Sequence, residues 1–356
     1  MRLAALDYGT VTSRLLIADV DADGVHPVLR KSIITHLGEG LSQSGLISRA
    51  ACERVVKATK VFLDEIEAVG FGRPSDPKES SEPTSMLPAD TNTAVDETSG
   101  TIAGLTPDPS VVAIRAVATS AMRDASNRTM VIEALAELGI ALEVIAGQRE
   151  ASLSFEGTLS GFDAELIEGS TVLVIDVGGG STELVIGSVA QAGGEAEIFE
   201  SVSFDIGARR VTDRFLTSDP PTAGEMSAAR QWVSAQLSGW FAEVEGSGLS
   251  IDLPIAVAGT PTTLVAIRDG LAIYDPKHVH GQEITTGQLR RILNRLAALT
   301  VEERSGVVGL EPARAPVVVG GILVLDEVLK AIGADRVTVS ETDILQGMIL
   351  DTWRGL

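Results

Sequence analysis

The sequence has few of the residues on which several kinds of protein depend. Cys52 is the only cysteine among 356 residues, which excludes an internal disulfide and a metal site built from several cysteines. No apolar run reaches the ~20 residues that a membrane-spanning helix needs, and the residues after Met1 lack the pattern of a signal peptide. We therefore expect a cytoplasmic protein that does not bind membranes.

Several catalytic motifs are absent as well. No glycine is followed by lysine, so the chain has no Walker A loop, and neither a GxGxxG nor a GxSxG pattern occurs. Asp275, His278 and His280 form a polar segment, but the sequence contains no HExxH or other dense metal-binding spacing. These absences argue against a P-loop NTPase, a dinucleotide-binding enzyme, a serine hydrolase and a zinc enzyme.

Positive charge is scarce relative to negative charge. The formal net charge is −21, and the resulting long-range repulsion opposes binding to nucleic acid or anionic lipid. We expect no nucleic-acid partner. Because salt screens charges over ~8 Å under physiological conditions, a locally basic cleft can still bind a small anionic ligand.

The patterns that are present indicate an α/β protein of two domains, since the chain exceeds the size of one hydrophobic core. Strands are predicted at 3–7, 14–20, 25–37, 111–117, 142–145, 172–176, 184–189 and 198–204. Helices are predicted at 48–69, through 134–138, and at 223–241, 285–299 and 315–332. Between 73 and 110 the chain is rich in Pro, Ser, Thr, Asp and Glu. This composition predicts a flexible insertion.

An internal repeat links the two halves. The segments LAALDYGTVTSRLLIADV and VLVIDVGGGSTELVIGSV align over their whole length as strand, turn, strand. The alignment pairs Asp7 with Asp176, Gly9 with Gly178, Thr12 with Ser181, and Arg14 with Glu183. Any two apolar hairpins share the strand pattern, but matching Asp, Gly and hydroxyl positions favour a duplication. Two related lobes facing each other across a cleft are therefore expected.

The turns of these hairpins have the composition of phosphate-binding loops. Gly178, Gly179 and Gly180 allow a tight turn and close approach of an oxyanion to backbone N–H groups. A hairpin turn that needs glycine for geometry alone is the alternative, and the presence of two opposed copies disfavours it. Asp7 and Asp176 end buried strands, where a carboxylate needs compensation that Mg²⁺ would supply.

Charged residues near the turns are candidates for phosphate chemistry. Arg14 could hold a phosphate oxygen through its fork of donors, and Arg123 and Asn127 lie in a turn that could face the cleft. Further arginines, which could equally form surface ion pairs, are Arg115, Arg128 and Arg149. Glu150 follows a strand at the start of a helix, so it is either a general base or a residue that complements the helix dipole. Glu183 either binds metal, orients water or points outward.

One more segment, 257–263, has the pattern of a strand end, a glycine turn and a helix start. Thr260 is the expected cap and Pro261 the first helical residue. Such a helix start binds anions readily.

Taken together, these motifs resemble the Ppx/GppA family of exopolyphosphatases and guanosine pentaphosphate phosphohydrolases in the actin-like ATPase superfamily. The resemblance spans nearly the whole chain, in the order of the family. The segments that carry it are DYGTVTSRLL, ATSAMRDASN, IAGQREA, IDVGGGSTELVIG, IGARRVTDRF, VAGTPTTL, YDPKHVHG and VTVSETDILQGMIL.

The resemblance implies an α/β fold of two actin-like (ribonuclease H-like) lobes facing each other across a cleft. The first lobe would comprise 1–140, with a C-terminal helix within 341–356 packing back on it, and the second 141–340. The implied activity is release of terminal orthophosphate from inorganic polyphosphate with Mg²⁺ or Mn²⁺. The alternatives are hydrolysis of guanosine pentaphosphate, a phosphotransferase of the same fold, and a catalytically weak sensor of polyphosphate or an alarmone. A homodimer is a further expectation.

The resemblance also assigns roles to residues. Glu150 would be the base that activates water, with Asp176 and Glu183 as further catalytic residues. The metal ligands would be Asp7, Asp176 and Glu183. The substrate-binding set is Gly9, Thr10, Arg14, Arg123, Asn127, Gly178, Gly179, Gly180, Ser181 and Arg210.

Two positions depart from the family pattern. Val11 and Thr12 stand where the family usually reads DxGTNSxR, so an Asn side chain that would contact phosphate or metal is missing. Arg149 replaces the first acid of the SGxEEA-like motif, which places a positive charge beside the expected base. That charge could aid binding of a polyanion or lower the basicity of the Glu150 carboxylate.

Overall fold

The computed structural model describes residues 1–70, 111, 113–189 and 196–356, so the insertion predicted at 73–110 lies outside the described residues. The described chain forms two α/β lobes, one on a five-stranded and one on a six-stranded sheet. The strands are β1 (Arg2–Tyr8), β2 (Thr12–Asp21), β3 (Gly24–Ile34), β4 (Ala113–Ala118), β5 (Leu142–Val144), β6 (Val172–Val177), β7 (Thr182–Val189), β8 (Ala196–Phe204), β9 (Leu253–Val257), β10 (Glu283–Thr285) and β11 (Arg336–Val339).

The helices lie between and after these strands. They are α1 (Leu41–Ser44), α2 (Arg49–Gly70), α3 (Ser120–Asp124), α4 (Thr129–Ala136), α5 (Gly147–Leu159), α6 (Ala164–Ile167), α7 (Ala208–Phe215), α8 (Ala223–Ser247), α9 (Gly259–Asp269), α10 (Pro276–Val279), α11 (Thr286–Ala297), α12 (Val301–Ser305), α13 (Val318–Ala331) and α14 (Ile344–Arg354), with a 3-10 turn at Pro312–Arg314. Among the described helices, none combines the length and apolarity needed to cross a bilayer.

In the first sheet, ordered β3-β2-β1-β4-β5, the central strand β1 is buried on both faces. Because strand side chains alternate between faces, Leu6 packs with Phe62 of α2 on one side, whereas Leu3 packs with Met348 of α14 on the other. Strand β1 is antiparallel to β2 and parallel to β4. Covering both faces explains why residues 3–6 in the middle of β1 are all apolar.

The second sheet, ordered β10-β11-β9-β6-β7-β8, repeats this arrangement around β6. Strand β6 is antiparallel to β7 and parallel to β9. Ile175 contributes to the core under α13, and Val174 to the core under α5. The order β8-β7-β6-β9 thus matches β3-β2-β1-β4, as the aligned segments predicted. The duplication therefore extends from sequence motif to sheet topology.

The last helix joins the two lobes. Helix α14 packs on β1, β2 and α5, and glycines lie where α14 meets α5. A Cβ added at Gly347 would overlap the carbonyl of Leu153, and one added at Gly157 would overlap the carbonyl of Asp343. The approach of these helices therefore depends on both glycines.

Several predicted boundaries were wrong; helix α13, for example, begins at Val318 instead of residue 315. The strand predicted to reach residue 37 ends at Ile34, because the next two residues donate their N–H groups to the Val11 carbonyl and His36 has φ 47°. Helix α8 runs six residues beyond the predicted end. Helix α9 begins at Gly259, so Thr260 lies in its first turn, and the capping position belongs to Ala258.

Candidate active site

The two hairpins form matching turns at the cleft. In the first, Asp7 of β1 lies opposite Arg14 of β2, and in the second, Asp176 lies opposite Glu183. Both turns close with the same hydrogen bond, since Gly9 N–H donates to Thr12 and Gly178 N–H donates to Ser181, each at 3.0 Å. The register explains why four charged side chains meet at one place: cross-strand partners point to the same face.

A cavity between the lobes lies directly on these turns. It has an empty volume of about 790 Å³, including its open mouth. Both hairpins contribute to its walls, and so do the starts of α5 and α9. Predicted site residues that line it are Asp7, Gly9, Thr10, Arg14, Glu150, Asp176, Gly178, Gly179, Gly180 and Ser181.

The glycines of the second turn allow the two lobes to touch. A Cβ at Gly179 would come within 2.5 Å of Val11 Cγ2, and one at Gly180 within 2.6 Å of Thr10 Oγ1. Neither glycine has a positive φ, so close approach of the opposite lobe is the reason for glycine here. The amides of Thr10, Val11, Gly179 and Gly180 make no hydrogen bond to another described residue. They are available to an anion.

Asp7 is almost fully buried and bonded through one oxygen only. Its Oδ2 accepts from Arg14 Nε at 2.9 Å and from Arg14 Nη2 at 2.6 Å. Its Oδ1 is buried with no partner among the described residues. Burial raises the pKa of Asp7, against the lowering effect of Arg14. A buried, half-satisfied carboxylate is costly unless something else occupies the free oxygen.

The second hairpin supplies two more buried carboxylates. Asp176 accepts from Ser154 Oγ at 2.7 Å, and burial raises its pKa to about 6. Glu183 accepts from Ser203 Oγ at 2.7 Å through Oε1, while Oε2 is buried without a described partner. Burial, reinforced by the nearby Glu150 and Asp176, raises the pKa of Glu183 well above its ordinary value. Glu183 lies behind the cavity wall rather than in it.

Glu150 lies in the first turn of α5 and lines the cavity. Its Oε2 accepts from Arg123 Nη1 at 2.6 Å, and Oε1 has no hydrogen bond to a described residue. Burial raises the pKa of Glu150 to about 7, because the opposing effect of Arg123 is smaller. Arg123 also donates to Ser181 Oγ at 3.4 Å. This side chain therefore joins the predicted base to the glycine turn.

Three residues of the predicted substrate-binding set, Arg123, Asn127 and Arg210, lie outside the cavity lining. The amide of Asn127 is used locally, since it accepts from Ile47 N–H at 2.8 Å and donates to the Ile47 carbonyl at 2.9 Å. Arg210 lies at the rim, where its Nε donates to the Gly180 carbonyl at 2.9 Å and its guanidinium pairs with Asp124.

The arginine that departs from the family pattern is also directed elsewhere. Arg149 forms an ion pair with Asp351 of α14, and Arg115 pairs with the same carboxylate. Its guanidinium thus contacts the last helix and does not line the cavity.

Sequence reasoning missed several cavity residues. Ala258 has φ 73° and ψ −170°, a conformation that non-glycine residues adopt only under strain. Arg314 lies so close to the start of α9 that any side chain at Gly259 would overlap its guanidinium. Asp343 pairs with Arg14 at 2.5 Å. The unusual Ala258 has no signature in the sequence, and the partners of Arg14 depend on contacts distant in the chain.

A second cavity adjoins the first. It shares Arg14, Gly259, Thr263 and Arg314 with the first cavity and has an empty volume of about 1150 Å³. Its three arginines are each paired, Arg14 and Arg30 with Asp343, and Arg314 with Glu311. Apolar wall residues and the half-exposed ring of Tyr274 complete it.

Carboxylate oxygens are ligands that Mg²⁺ and Mn²⁺ prefer, and Asp7, Glu150 and Asp176 bring carboxylates to the cavity. Within the described ranges, no three acidic, histidine or cysteine side chains converge into a group that could hold a metal ion. Asp7 Oδ1 and Glu183 Oε2 nevertheless lack partners. Because Mg²⁺ usually takes one or two carboxylates and completes its shell with water and phosphate, the donor set fits it.

Two lobes of one topology, with carboxylate-bearing hairpins facing each other across a cleft, define the actin-like (ribonuclease H-like) fold. Residues 91–354 match the Ppx/GppA phosphatase family. The chain is 33% identical to Exopolyphosphatase 2 of Mycobacterium tuberculosis, over 98% of either chain. The chain belongs to the Ppx/GppA phosphatase family.

Solved structures agree with this assignment. A crystal structure of an exopolyphosphatase from Cytophaga hutchinsonii is 26% identical, covers 100% of this chain and 99% of its own, and has a TM-score of 0.76. A Ppx/GppA family member from Aquifex aeolicus is 26% identical, with coverages of 100% and 98% and a TM-score of 0.70. The predicted family and fold class are therefore confirmed.

Proposed function

We propose that the protein is an exopolyphosphatase that releases terminal orthophosphate from inorganic polyphosphate. The observation that carries this is the interlobe cavity, where free backbone amides and buried carboxylates lie beside Glu150, which has an unbonded oxygen. Such a combination suits phosphoryl transfer to water. The relative from M. tuberculosis bears the name exopolyphosphatase, which supports the same substrate.

In the proposed reaction, water attacks the terminal phosphorus while Glu150 accepts its proton. The bond from that phosphorus to the bridging oxygen breaks, and orthophosphate leaves together with a chain one phosphate shorter. The free amides of the two turns stabilise the charge on the phosphoryl oxygens. Arg123 keeps the Glu150 carboxylate in place, since it also holds the Ile145 carbonyl at 3.1 Å.

A divalent cation is part of this proposal. One or two of the predicted ligands Asp7, Asp176 and Glu183 would hold Mg²⁺ or Mn²⁺, with water and phosphate completing the shell, and the ion would neutralise negative charge on the substrate. The two unpartnered oxygens of Asp7 and Glu183 support this assignment.

The test is phosphate release from short and long polyphosphate, with and without Mg²⁺, by wild type and Glu150→Gln. We expect Mg²⁺-dependent release that falls by 10²–10⁴-fold in the variant, a typical contribution of a general base. Glu156→Gln, a change at a half-buried position on the same helix that removes an ion pair with Arg354 outside the cavity, is the matched control. No release from any substrate would refute the enzyme and leave a sensor, whereas undiminished release in Glu150→Gln would remove the proposed base.

The second cavity favours guanosine pentaphosphate as a second candidate substrate. Because its arginines are already paired, a long polyanion gains little there, whereas apolar walls and Tyr274 suit a nucleoside. Tyr274→Ala should raise KM for guanosine pentaphosphate and leave KM for short polyphosphate unchanged. An equal effect on both substrates would argue against a nucleoside in this cavity.

We further infer a cytoplasmic enzyme without a nucleic-acid or membrane partner, for which the net charge of −21 is the support. The packing of α14 on β1 and β2 supports the assignment of residues 341–356 to the first lobe. The predicted boundary between residues 140 and 141 lies too early, because β5 pairs with β4 in the first sheet. A homodimer stays a prediction, which sedimentation would test.

A further inference from the structure

Asp343 is a buried carboxylate outside the predicted site. It caps α14, where its Oδ1 accepts from Leu345 N–H at 3.0 Å. Its Oδ2 accepts from Arg14 Nη1 at 2.5 Å and from Arg30 Nη2 at 2.7 Å. Only 2% of the residue is exposed. Other capping boxes of this chain use threonine, at Thr222, Thr285 and Thr300, so capping alone does not explain a charged residue here.

The contact with Asp343 determines how Arg14 binds Asp7. A guanidinium beside a carboxylate commonly forms two parallel hydrogen bonds, one to each oxygen. Arg14 instead gives both Nε and Nη2 to Asp7 Oδ2, while Nη1 is held by Asp343. Asp7 Oδ1 is thereby left without a partner in a residue that lines the cavity.

We propose that Asp343 is a positioning residue that, by holding Arg14, keeps Asp7 Oδ1 free for a divalent cation. Without it, Arg14 is free to turn and bind both oxygens of Asp7, which closes the cation position. The inference rests on the proposed function for the identity of the cation. The last helix is thereby linked to the first hairpin, because the Asp343 carboxylate both caps α14 and holds Arg14 of the hairpin.

The test compares Asp343→Asn with Arg30→Met, using calorimetric titration of Mg²⁺ into the full-length protein. Asparagine caps helices as well as aspartate, so Asp343→Asn removes the charge and keeps the cap. We expect its Mg²⁺ dissociation constant to rise about 10–100-fold, as for other residues that orient metal ligands. Arg30→Met removes the other partner of Asp343 and should change Mg²⁺ affinity less than about twofold.

Equal Mg²⁺ affinity in wild type and Asp343→Asn would overturn the proposal. An equal loss of Mg²⁺ affinity in Asp343→Asn and Arg30→Met would also overturn it, as would a wild-type protein that binds no Mg²⁺. If Asp343→Asn fails to fold, Arg14→Lys decides, because lysine keeps a charge beside Asp7 but cannot span both carboxylates. Unchanged affinity in Arg14→Lys would then refute it. If Mg²⁺ affinities follow the expectation but no phosphate is released, the proposed function fails and the positioning role stands.

Discussion

The buried surroundings of Glu150 disfavour the ionised form of its carboxylate. Burial raises its pKa to about 7, so a base at this position is half ionised near neutral pH. If Glu150 accepts the proton of water, kcat/KM, which reports the ionisation of the free enzyme, should rise with pH through about 7 and level off above it. A pH–rate profile at saturating Mg²⁺ measures this. A profile already level at pH 5 would show that another group is the base.

The same raised pKa makes stability fall as pH rises, whereas the rate should increase. Between about 4.5, the ordinary value, and about 7 the folded state binds more protons at Glu150 than the unfolded state. Stability contributed by this group therefore falls as pH rises through that window. The loss is on the order of 3 kcal/mol at 1.36 kcal/mol per pKa unit. In denaturant titrations without Mg²⁺, Glu150→Gln should be more stable than wild type at pH 8 and similar at pH 4.5.

Val11 is the residue that replaces the family's asparagine, and its surroundings explain a valine. It packs against Ala208 and Val317 of the second lobe. Val11→Asn would place an amide among apolar groups, which should lower the free energy of unfolding by roughly 1–3 kcal/mol. Val28→Asn, on an exposed part of β3, is the control and should change it by less than about 0.5 kcal/mol. If both variants lowered the free energy of unfolding equally, the contact of Val11 with the second lobe would contribute nothing to stability.

At the scale of elements, the crossing of α5 and α14 should be sensitive to a single methyl group. Gly347→Ala forces a Cβ against the Leu153 carbonyl, and the required shift should cost roughly 1–3 kcal/mol or more. Gly239→Ala in α8 is the matched control, because no atom lies within 4 Å of its added Cβ. There, alanine should stabilise by roughly 0.5–1 kcal/mol. Thermal unfolding of both variants measures the difference in sign.

The elements also show what sequence could predict. Helix α2 and strand β6 were anticipated almost to the residue, because their apolar periodicity reflects a single buried face or a fully buried strand. Asp7, Asp176 and Glu150 were found because each stands where a strand or helix meets a turn. Arg123 was predicted to face the cleft and bind substrate, and its pairing with Glu150 was not predicted. Asp343 and Ala258 escaped detection, since one depends on partners more than 300 residues away and the other on backbone conformation.

For the whole molecule, the contacts between lobes decide how substrate reaches the cavity. Arg209 of α7 donates to His36 Nδ1 at 2.8 Å, and Arg210 pairs with Asp124 of the first lobe. With Val11 packed on the second lobe as well, these contacts hold the two turns together, while the mouth of the cavity stays open. Substrate should therefore enter through this mouth without separation of the lobes.

Arg210 allows two explanations to be separated at this scale. If it binds substrate directly, Arg210→Ala should raise KM for polyphosphate and Asp124→Asn should not. If it acts by holding the lobes together, both variants should raise KM alike, by about 3–10-fold, which corresponds to roughly 0.7–1.4 kcal/mol.

Because the Arg210–Asp124 pair is partly exposed, its loss should lower the melting temperature only slightly. Arg291→Ala, an exposed change on α11, controls for loss of positive charge. Steady-state kinetics of the three variants at one ionic strength decides between direct binding and the interlobe role. The geometry favours the interlobe role, since Arg210 is outside the cavity lining and already bonded to both lobes.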